Sequence, residues 1–331
     1  MPHNNIMKRT ILVSLKTLIL GCLSAGLALP AAAQTPKKVL VVTTTTEFRH
    51  SSIPTAEKVL AKLGKESGAF TVDYAQQPSL PTAPQKPRAP KAATNEAAKQ
   101  KYEQDLAKWE ANRDRYTAMD EAYQAAMKKV LEKLSPDNLK NYDAVIFANT
   151  TGNLPIPDKD GFLNWLKSGK AFIGMHACSD TFHGWPAFIQ MLGGEFAGHG
   201  AQVGVECLNQ DLKHPATAAL GSTWKVRQEE MYLIKNHDAK ECHELLVLDK
   251  HPNKPEQAGT FQVSWCKQYG QGKVFYTTLG HREDIWDDEW KEGNGRRANA
   301  PEIAQAYQKH ILGGIKWALG LEPGDATPQA K

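Results

Sequence analysis

Segments of continuously apolar residues alternate with helix-forming segments along most of the chain, and this alternation restricts the fold more than any other feature. The first apolar segment, residues 37–46 (KKVLVVTTTT), is rich in β-branched residues. A block of this kind is typical of a parallel strand that is covered on both faces. A helix is predicted next, at residues 51–63, with Pro54 in its first turn and Gly64 at its end.

The same alternation continues towards the C-terminus. Further strands are predicted at residues 69–74, 142–149, 170–176, 202–208, 231–235, 244–249, 262–267 and 273–279. Helices are predicted at residues 158–168 and 301–319. Strands that alternate with helices in this way indicate an α/β fold with a doubly wound parallel sheet.

Residues 77–135 interrupt this pattern as an insertion of different composition. Its first part, 77–92, is Pro-rich and is expected to be extended, whereas 95–134 is rich in Ala, Lys, Glu and Gln, with aromatic residues at helical intervals. The sequence predicts one long helix or a helical hairpin here. The insertion could cap a binding site or contact another subunit, but an outlying strut is the simpler interpretation. The α/β domain is expected to span residues 34–320, and residues 321–331 to form a polar tail.

The N-terminal residues have the three parts of an export signal. Lys8 and Arg9 form a basic start, residues 11–29 are mostly apolar, and a run of small residues ends at Ala33. We expect this signal peptide, residues 1–33, to be cleaved after Ala33. The mature protein is then periplasmic or secreted.

The apolar part of the signal is not expected to span a membrane. Lys16 interrupts it, and what remains is shorter than the roughly 20 residues that cross a bilayer as a helix. Lipid attachment at Cys22 is an alternative that we rank second. The whole chain has a formal charge of +4, which falls to about +1 once Lys8, Arg9 and Lys16 leave with the signal. A charge this small predicts no nucleic-acid partner.

Polar side chains follow the predicted strands at their carboxyl ends, where ligands bind in open parallel sheets. His50 follows the first strand, and His176 and His281 follow two later ones. A single histidine in such a place often only bonds a loop carbonyl, but several of them at one edge predict a shared site. The expected site comprises Arg49, His50, His176, Asp180, His199, Glu229, Glu230 and His281.

Neutral imidazoles and carboxylates at one edge suit two kinds of chemistry. They can exchange protons with a polyol or keto-sugar near neutral pH, or they can hold a divalent metal ion. The predicted catalytic residues are His176, Asp180 and His50. Asp180 would either orient the His176 ring or bind the same metal ion as His176. The predicted substrate-binding residues are Arg49, His199, Glu229, Glu230, Trp265 and His281, where Trp265 would offer a flat face to sugar C–H groups. The candidate metal ligands are His50, His176 and His281.

Nucleotide chemistry is not expected. The sequence has no GxxxxGK[ST], no GxGxxG after the first strand and no GxSxG. A phosphate-binding loop and a serine hydrolase elbow are therefore unsupported. A divalent metal ion is the one cofactor that remains in consideration.

Several segments together resemble the ThuA-like (trehalose-utilisation) family of the class I glutamine-amidotransferase-like superfamily. The resembling segments are TTTTEFRHSS (43–52), GMHACSDTFHGWP (174–186), LGGEFAGHG (192–200), HPAT (214–217), EEMY (229–232), VSWCKQYGQGKVFYTTLGHRED (263–284) and HILGGIKWALG (310–320). They cover nearly all of the mature chain except the insertion. The resemblance implies a flavodoxin-like sheet and a role in carbohydrate use, including that of keto-disaccharides and glycosides. The implied ligand is a small carbohydrate, and the implied partner is a sugar oxidoreductase of the same pathway.

In amidotransferases of this superfamily, the turn after the corresponding strand carries a nucleophilic cysteine. Here His176 stands at that position and Cys178 comes two residues later, so glutamine hydrolysis is not expected. Three functions stay open at this point. The leading one is an exported protein that binds and transforms a sugar or keto-sugar at the His/Asp/Glu site. The others are a non-catalytic glycan-binding or scaffold module and a metal-dependent hydrolase.

Overall fold

The computed structural model describes residues 1, 3, 35–90 and 95–329. Apart from residues 1 and 3, the predicted signal peptide lies outside the described residues, and so do Cys22 and Ala33. Within the described ranges, no helix has both the length and the apolar character that a membrane crossing requires.

Within the described residues, nine strands form a central sheet and two further strands pair with each other outside it. The strands are, in chain order, β1 (Lys37–Val42), β2 (Phe70–Ala75), β3 (Ala144–Ala148), β4 (Ala171–Met175), β5 (Glu195–His199), β6 (Val203–Asn209), β7 (Thr223–Glu229), β8 (Tyr232–Lys235), β9 (His243–His251), β10 (Lys254–Tyr269) and β11 (Gly272–Thr277). The order across the sheet is β2-β1-β3-β4-β11-β10-β9-β6-β7, while β5 and β8 form a separate two-stranded ribbon.

The five strands from β2 to β11 in this order are parallel. When these five are numbered along the chain, their order is 2-1-3-4-5, which is the flavodoxin-like arrangement. The predicted α/β fold is therefore confirmed. Because the strands are parallel, the residues that follow β1, β3, β4 and β11 all lie at one edge of the sheet.

The sheet continues beyond this parallel half with antiparallel strands, which the sequence did not predict. β10 pairs antiparallel with β11 and β9, and β6 pairs antiparallel with β9 and β7. The connection from β10 to β11 is only Gly270–Gln271, with φ 63° at Gly270. A turn this short joins antiparallel neighbours, whereas a parallel pair needs a crossover of a dozen or more residues.

Helices cover both faces of the sheet. They are, in chain order, α1 (Ile53–Ser67), α2 (Glu96–Glu110), α3 (Arg113–Leu131), α4 (Pro136–Leu139), α5 (Lys159–Lys167), α6 (Pro186–Leu192), α7 (Glu283–Trp286) and α8 (Pro301–Ala318). Alternate residues of β1 point to opposite faces: Val39 packs in the core with α1 and α8, and Leu40 packs in the core with α3, α5 and α6. This two-sided burial explains the continuously apolar strand.

Helix α1 ends one turn later than the sequence predicts. It continues to Ser67 and stops at Gly68, whose φ of 63° is the left-handed conformation of a helix C-cap. Gly64 instead allows a close approach, because a side chain there would come within 2.7 Å of the Phe70 carbonyl oxygen. The glycine that looked like a stop signal is thus a packing residue.

The insertion contains two successive helices, α2 and α3. Helix α2 buries none of its side chains against the described part of the chain, whereas α3 buries Tyr123, Met127 and Leu131. The Pro-rich segment lies beside α2, since Trp109 Nε1 donates to the Pro84 carbonyl at 3.0 Å. The second half of α3 is therefore part of the core, and α2 projects from it.

The C-terminal residues predicted as a polar tail lie against β9 and β10. His243 Nδ1 donates to the Thr327 carbonyl at 2.7 Å. Trp317 Nε1 donates to the Gly324 carbonyl at 3.0 Å, and the side chain of Ala326 is buried. Residues 321–329 are thus held on the domain along their length.

Because His310 of α8 is buried as a neutral imidazole, we expect the folded protein to become less stable in acid. Its side chain is fully buried, Nδ1 donates to the Ala216 carbonyl at 2.8 Å, and burial lowers the pKa of His310 to about 4. The unfolded chain has the ordinary pKa near 6.5, so it binds more protons than the folded chain between these values. The free energy of unfolding of the wild type should therefore fall as the pH is lowered from about 7 to 5. We expect it to fall less steeply in His310→Leu, by up to about 1.4 kcal/mol per pH unit. Urea titrations of both proteins measure this, and parallel pH profiles would contradict it.

Candidate functional site

His176 occupies a strained turn directly after β4. Its φ angle is 46°, in the left-handed region that only a few per cent of residues other than glycine adopt, most often Asn, Asp and His. The turn depends on Gly174, because a side chain there would come within 2.8 Å of both Cys178 Sγ and the Tyr276 ring. Tyr276 Oη donates to the His176 carbonyl at 2.7 Å. Strain that is held in place by its surroundings is typical of functional positions.

The imidazole of His176 is held in its neutral form. Its ring is fully buried, and Nδ1 donates to the Thr278 carbonyl at 2.7 Å. Burial, and after it the nearby imidazoles of His50 and His281, lowers the pKa of His176 well below the usual value. The lone pair on Nε2 is therefore free to bind a ligand at the edge of the sheet.

Two more histidines meet His176 from neighbouring strands. His50 follows β1 and His281 follows β11. The ring centroid of His50 lies 4.8 Å from that of His176, and the His281 centroid lies 5.3 Å from both. Burial, followed by the effect of His281, lowers the pKa of His50 to about 4. His50 is thus also neutral at physiological pH.

Glu230 brings a carboxylate to the three imidazoles. Its Oε2 lies 3.8 Å from His176 Nε2 and 3.1 Å from His281 Nδ1. Its Oε1 lies 3.0 Å from Nδ1 of His199, whose side chain is 44% exposed at the rim. Burial alone would raise the pKa of Glu230, but the His281 and His199 imidazoles lower it overall. Glu230 is therefore ionised.

The histidine–glutamate group, defined as His50, His176, His281 and Glu230, fits a divalent metal ion. One ligand atom from each residue lies within 4.8 Å of all the others. In the described part of the chain, His50 Nδ1 and His176 Nε2 have no hydrogen-bond partner, whereas His281 Nδ1 faces Glu230 Oε2 at 3.1 Å. Buried polar atoms without partners are rare and costly. Neutral imidazoles with one carboxylate are a common ligand set for zinc and similar ions.

Comparison with known proteins bears on the fold and the family. The family model described as "ThuA: Trehalose utilisation" matches residues 90–299. The chain belongs to the ThuA family. The matched residues include three members of the histidine–glutamate group, His176, Glu230 and His281. Family membership gives this ThuA chain a sugar-associated role.

Solved structures agree with the fold of the ThuA chain. A ThuA-like protein from Parabacteroides merdae superimposes with a TM-score of 0.55 at 17% identity, covering 86% of this chain and 90% of the other. A ThuA-like protein from Bacteroides uniformis superimposes with a TM-score of 0.53 at 18% identity, covering 88% and 95%. No curated protein matches the chain.

In this ThuA protein, Glu229 lies beneath the histidine–glutamate group. It is fully buried, and its Oε1 accepts from the backbone N–H of His281 at 2.8 Å and of Glu230 at 3.2 Å. Burial raises the pKa of Glu229 to about 8. The sequence predicted a substrate-binding role. The structure instead gives Glu229 a positioning role, because it links the two segments that carry His281 and Glu230.

Asp180 does not pair with His176. It accepts from His183 Nε2 at 2.7 Å, and His183 Nδ1 lies 2.7 Å from a carboxylate oxygen of Glu195. Burial would lower the pKa of His183, but the two carboxylates raise it overall. The predicted orienting role of Asp180 is taken by the Thr278 carbonyl, because that carbonyl already bonds His176 Nδ1.

Trp265 and Arg49 are both directed away from the histidine–glutamate group. Trp265 is fully buried, donates from Nε1 to the Leu192 carbonyl at 2.8 Å and packs on Tyr276. The predicted sugar-contacting role of Trp265 is therefore wrong, because α6 and β11 enclose its ring. Arg49 Nη1 donates to the Thr43 carbonyl at 2.7 Å, on the side that faces the insertion.

Composition and spacing did not predict the roles of two further residues, Tyr232 and Asn149. Tyr232 Oη lies 3.5 Å from His50 Nε2, and its ring centroid lies 4.2 Å from that of His176. Asn149, with φ 57°, donates from Nδ2 to Ser52 Oγ at 2.9 Å and to the Gly280 carbonyl at 3.0 Å. The EEMY motif contains Tyr232, but no sequence signal marks Asn149, which ties the ends of β1, β3 and β11 together.

Cys178 is not a nucleophile in this structure. Its thiol is fully buried, and burial raises its pKa well above the usual value. A buried thiol of this kind is inert.

A cavity lies in the ThuA domain apart from the histidine–glutamate group. It has a volume of about 830 Å³ and is lined by residues of β6, β7 and β9. None of its lining residues belongs to the histidine–glutamate group. Converging neutral imidazoles and a carboxylate identify a reactive site better than volume does.

Proposed function

We propose that this ThuA protein is exported, binds a divalent metal ion and uses it to transform a sugar or keto-sugar. The observation that carries the proposal is the histidine–glutamate group, whose ligand atoms all lie within 4.8 Å of one another. The trehalose-utilisation family supports a sugar as the ligand.

Each residue of the group has a role in this proposal. His50, His176, His281 and Glu230 hold the ion, and the Thr278 carbonyl keeps His176 in the tautomer that can bind it. A bound divalent ion polarises a carbonyl or hydroxyl oxygen and stabilises the negative charge that develops there.

Two residues beside the group are suited to handle protons. His199 is 44% exposed, and its Nδ1 lies 3.0 Å from Glu230 Oε1, so it can exchange protons with water. Tyr232 Oη lies 3.5 Å from His50 Nε2. Burial raises the pKa of Tyr232 above its usual value, so the hydroxyl stays protonated and serves as a hydrogen-bond donor.

Incubation of the metal-loaded protein with a keto-derivative of trehalose in D₂O tests the reaction. We expect deuterium to enter at the carbon beside the carbonyl only when metal is present, as followed by proton NMR. His199→Gln should slow this exchange by about 100-fold or more without changing the metal content. Cleavage of the glycosidic bond without exchange would favour the metal-dependent hydrolase, and binding without any chemical change would favour the glycan-binding module.

Export is tested by sequencing the N-terminus of the mature protein. The small residues before the cleavage point lead us to expect Gln34 as the first residue of a periplasmic or secreted chain. A lipid-modified chain beginning at Cys22 would support the anchored alternative, and an unprocessed cytoplasmic chain would contradict export.

A sugar oxidoreductase that converts a hydroxyl group into the carbonyl is the partner activity we propose.

A further inference from the structure

A second cavity lies between the loop that follows β1 and the insertion. Its volume is about 530 Å³, within the range of about 300–1,000 Å³ that is common for small-molecule sites. Thr46, Glu47 and Arg49 line it on the side of the loop, and Leu80 and Gln124 line it on the side of the insertion. The cavity exists only because the insertion is present.

The two sides of the cavity are fixed to each other. Gln77 Oε1 accepts from the backbone N–H of Thr45 at 2.8 Å, and Gln77 Nε2 donates to the Thr45 carbonyl at 3.0 Å. Gln77 Nε2 also bonds the hydroxyl of Tyr123, which is buried on α3. The start of the insertion and the middle of α3 are thus attached to the carboxyl end of β1. A wall fixed in this way is preformed for a ligand.

The loop of residues 46–50 separates this cavity from the histidine–glutamate group. Phe48 is 65% exposed on it, and its ring centroid lies 4.8 Å from that of His50. Thr151 Oγ1 donates to the Phe48 carbonyl at 2.7 Å. Gly152, with φ 75°, backs the loop so closely that a side chain there would collide with Thr46 and Glu47. The loop therefore holds an exposed aromatic ring at the mouth of the site.

The chemistry of the cavity suits a neutral, hydroxyl-rich ring. Threonine hydroxyls, the Gln124 amide and the Arg49 guanidinium offer donors and acceptors to sugar hydroxyls. Glu47 and Arg49 bring opposite charges to the same wall, so the cavity does not favour an anion. An exposed phenylalanine ring stacks against the apolar face of a sugar ring.

We propose that this cavity is a second sugar subsite, which binds the unreacting ring of a glycoside while the other ring lies at the histidine–glutamate group. Phe48 contacts the sugar between the two subsites. This inference rests on the proposed function, and it gives the insertion a part in substrate selection rather than the part of a strut.

Calorimetric titration of the zinc-loaded protein with trehalose and with glucose tests the second subsite. We expect trehalose to bind at least about tenfold more tightly than glucose, a difference of about 1.4 kcal/mol. Gln124→Trp should remove this preference, because the indole would fill the cavity from an exposed position of α3. The binding of glucose should not be weakened. Ala125→Trp is the matched control, because Ala125 is also exposed but does not line the cavity.

Phe48→Ala is a second test of the subsite. Loss of the aromatic face should weaken the binding of trehalose by about two- to tenfold. Equal affinities of the wild type for the two sugars, or an unchanged preference in Gln124→Trp, would overturn the second subsite alone. A zinc-loaded protein that binds neither sugar would overturn the proposed function together with it.

Discussion

Replacing His176 with asparagine is expected to reduce zinc affinity by more than about 100-fold while leaving the metal-free protein folded. Loss of an outer-shell partner of a metal ligand costs about 10–100-fold, and His176 would itself be a ligand. Asparagine accepts the left-handed backbone, φ 46°, better than most residues do. It also removes a buried nitrogen that has no partner within the described residues. Competition with a chromophoric chelator measures the affinity, and thermal unfolding of the metal-free protein measures its stability.

His183→Asn is the matched control for His176→Asn. His183 lies near the rim but contacts Asp180 and Glu195 instead of the histidine–glutamate group. We expect the control to keep the zinc affinity of the wild type. If both variants lose zinc equally, or if His176→Asn binds zinc as the wild type does, His176 is not a metal ligand.

Asp284→Ala is expected to lower the free energy of unfolding by about 3–5 kcal/mol, since it removes one partner of a buried ion pair. The Asp284 side chain is fully buried, and its Oδ1 accepts from Arg282 Nε at 3.0 Å. Its Oδ2 accepts from the backbone N–H of Ala298 at 2.7 Å and of Asn299 at 3.0 Å. These groups would all lose their acceptor. Urea unfolding of the metal-free protein measures the loss.

Glu292→Ala provides the comparison for Asp284→Ala. Glu292 contacts the same guanidinium, Arg282 Nη2, at 3.1 Å, but its side chain is 39% exposed. Exposed ion pairs contribute only about 0–1 kcal/mol, so the control should be close to the wild type. Since Arg282 directly follows His281, we also expect Asp284→Ala to weaken zinc binding. Similar losses of stability in the two variants would contradict the central role of Asp284.

The meeting of three histidines could be predicted from sequence because it depends only on the parallel strands. His50, His176 and His281 each follow a strand, and the carboxyl ends of parallel strands share one edge. The direction of each ring could not be predicted in the same way. The ring of His176 is set by the carbonyl of Thr278, the first residue after β11, which no local pattern of the sequence around His176 reveals.

The antiparallel half of the sheet explains the incorrect parts of the prediction. Trp265 was expected near the ligand, but β10 pairs antiparallel with β11, and the ring packs on Tyr276 instead. Glu229 is the last residue of β7, the far edge strand of the sheet, and Glu230 lies between β7 and the ribbon strand β8. Alternating patterns show that such strands exist, but their place in the sheet depends on long-range pairing. The place of Glu230 in the histidine–glutamate group therefore needed the structure.

The metal content of the purified protein tests most directly whether the histidine–glutamate group holds a metal ion. The protein should be prepared without chelators or a metal-affinity tag and analysed by plasma mass spectrometry before and after dialysis against zinc. We predict about one tightly bound divalent ion per chain in the wild type and almost none in His176→Asn. A wild-type chain that contains no ion, and takes up none when zinc is supplied, would contradict the account.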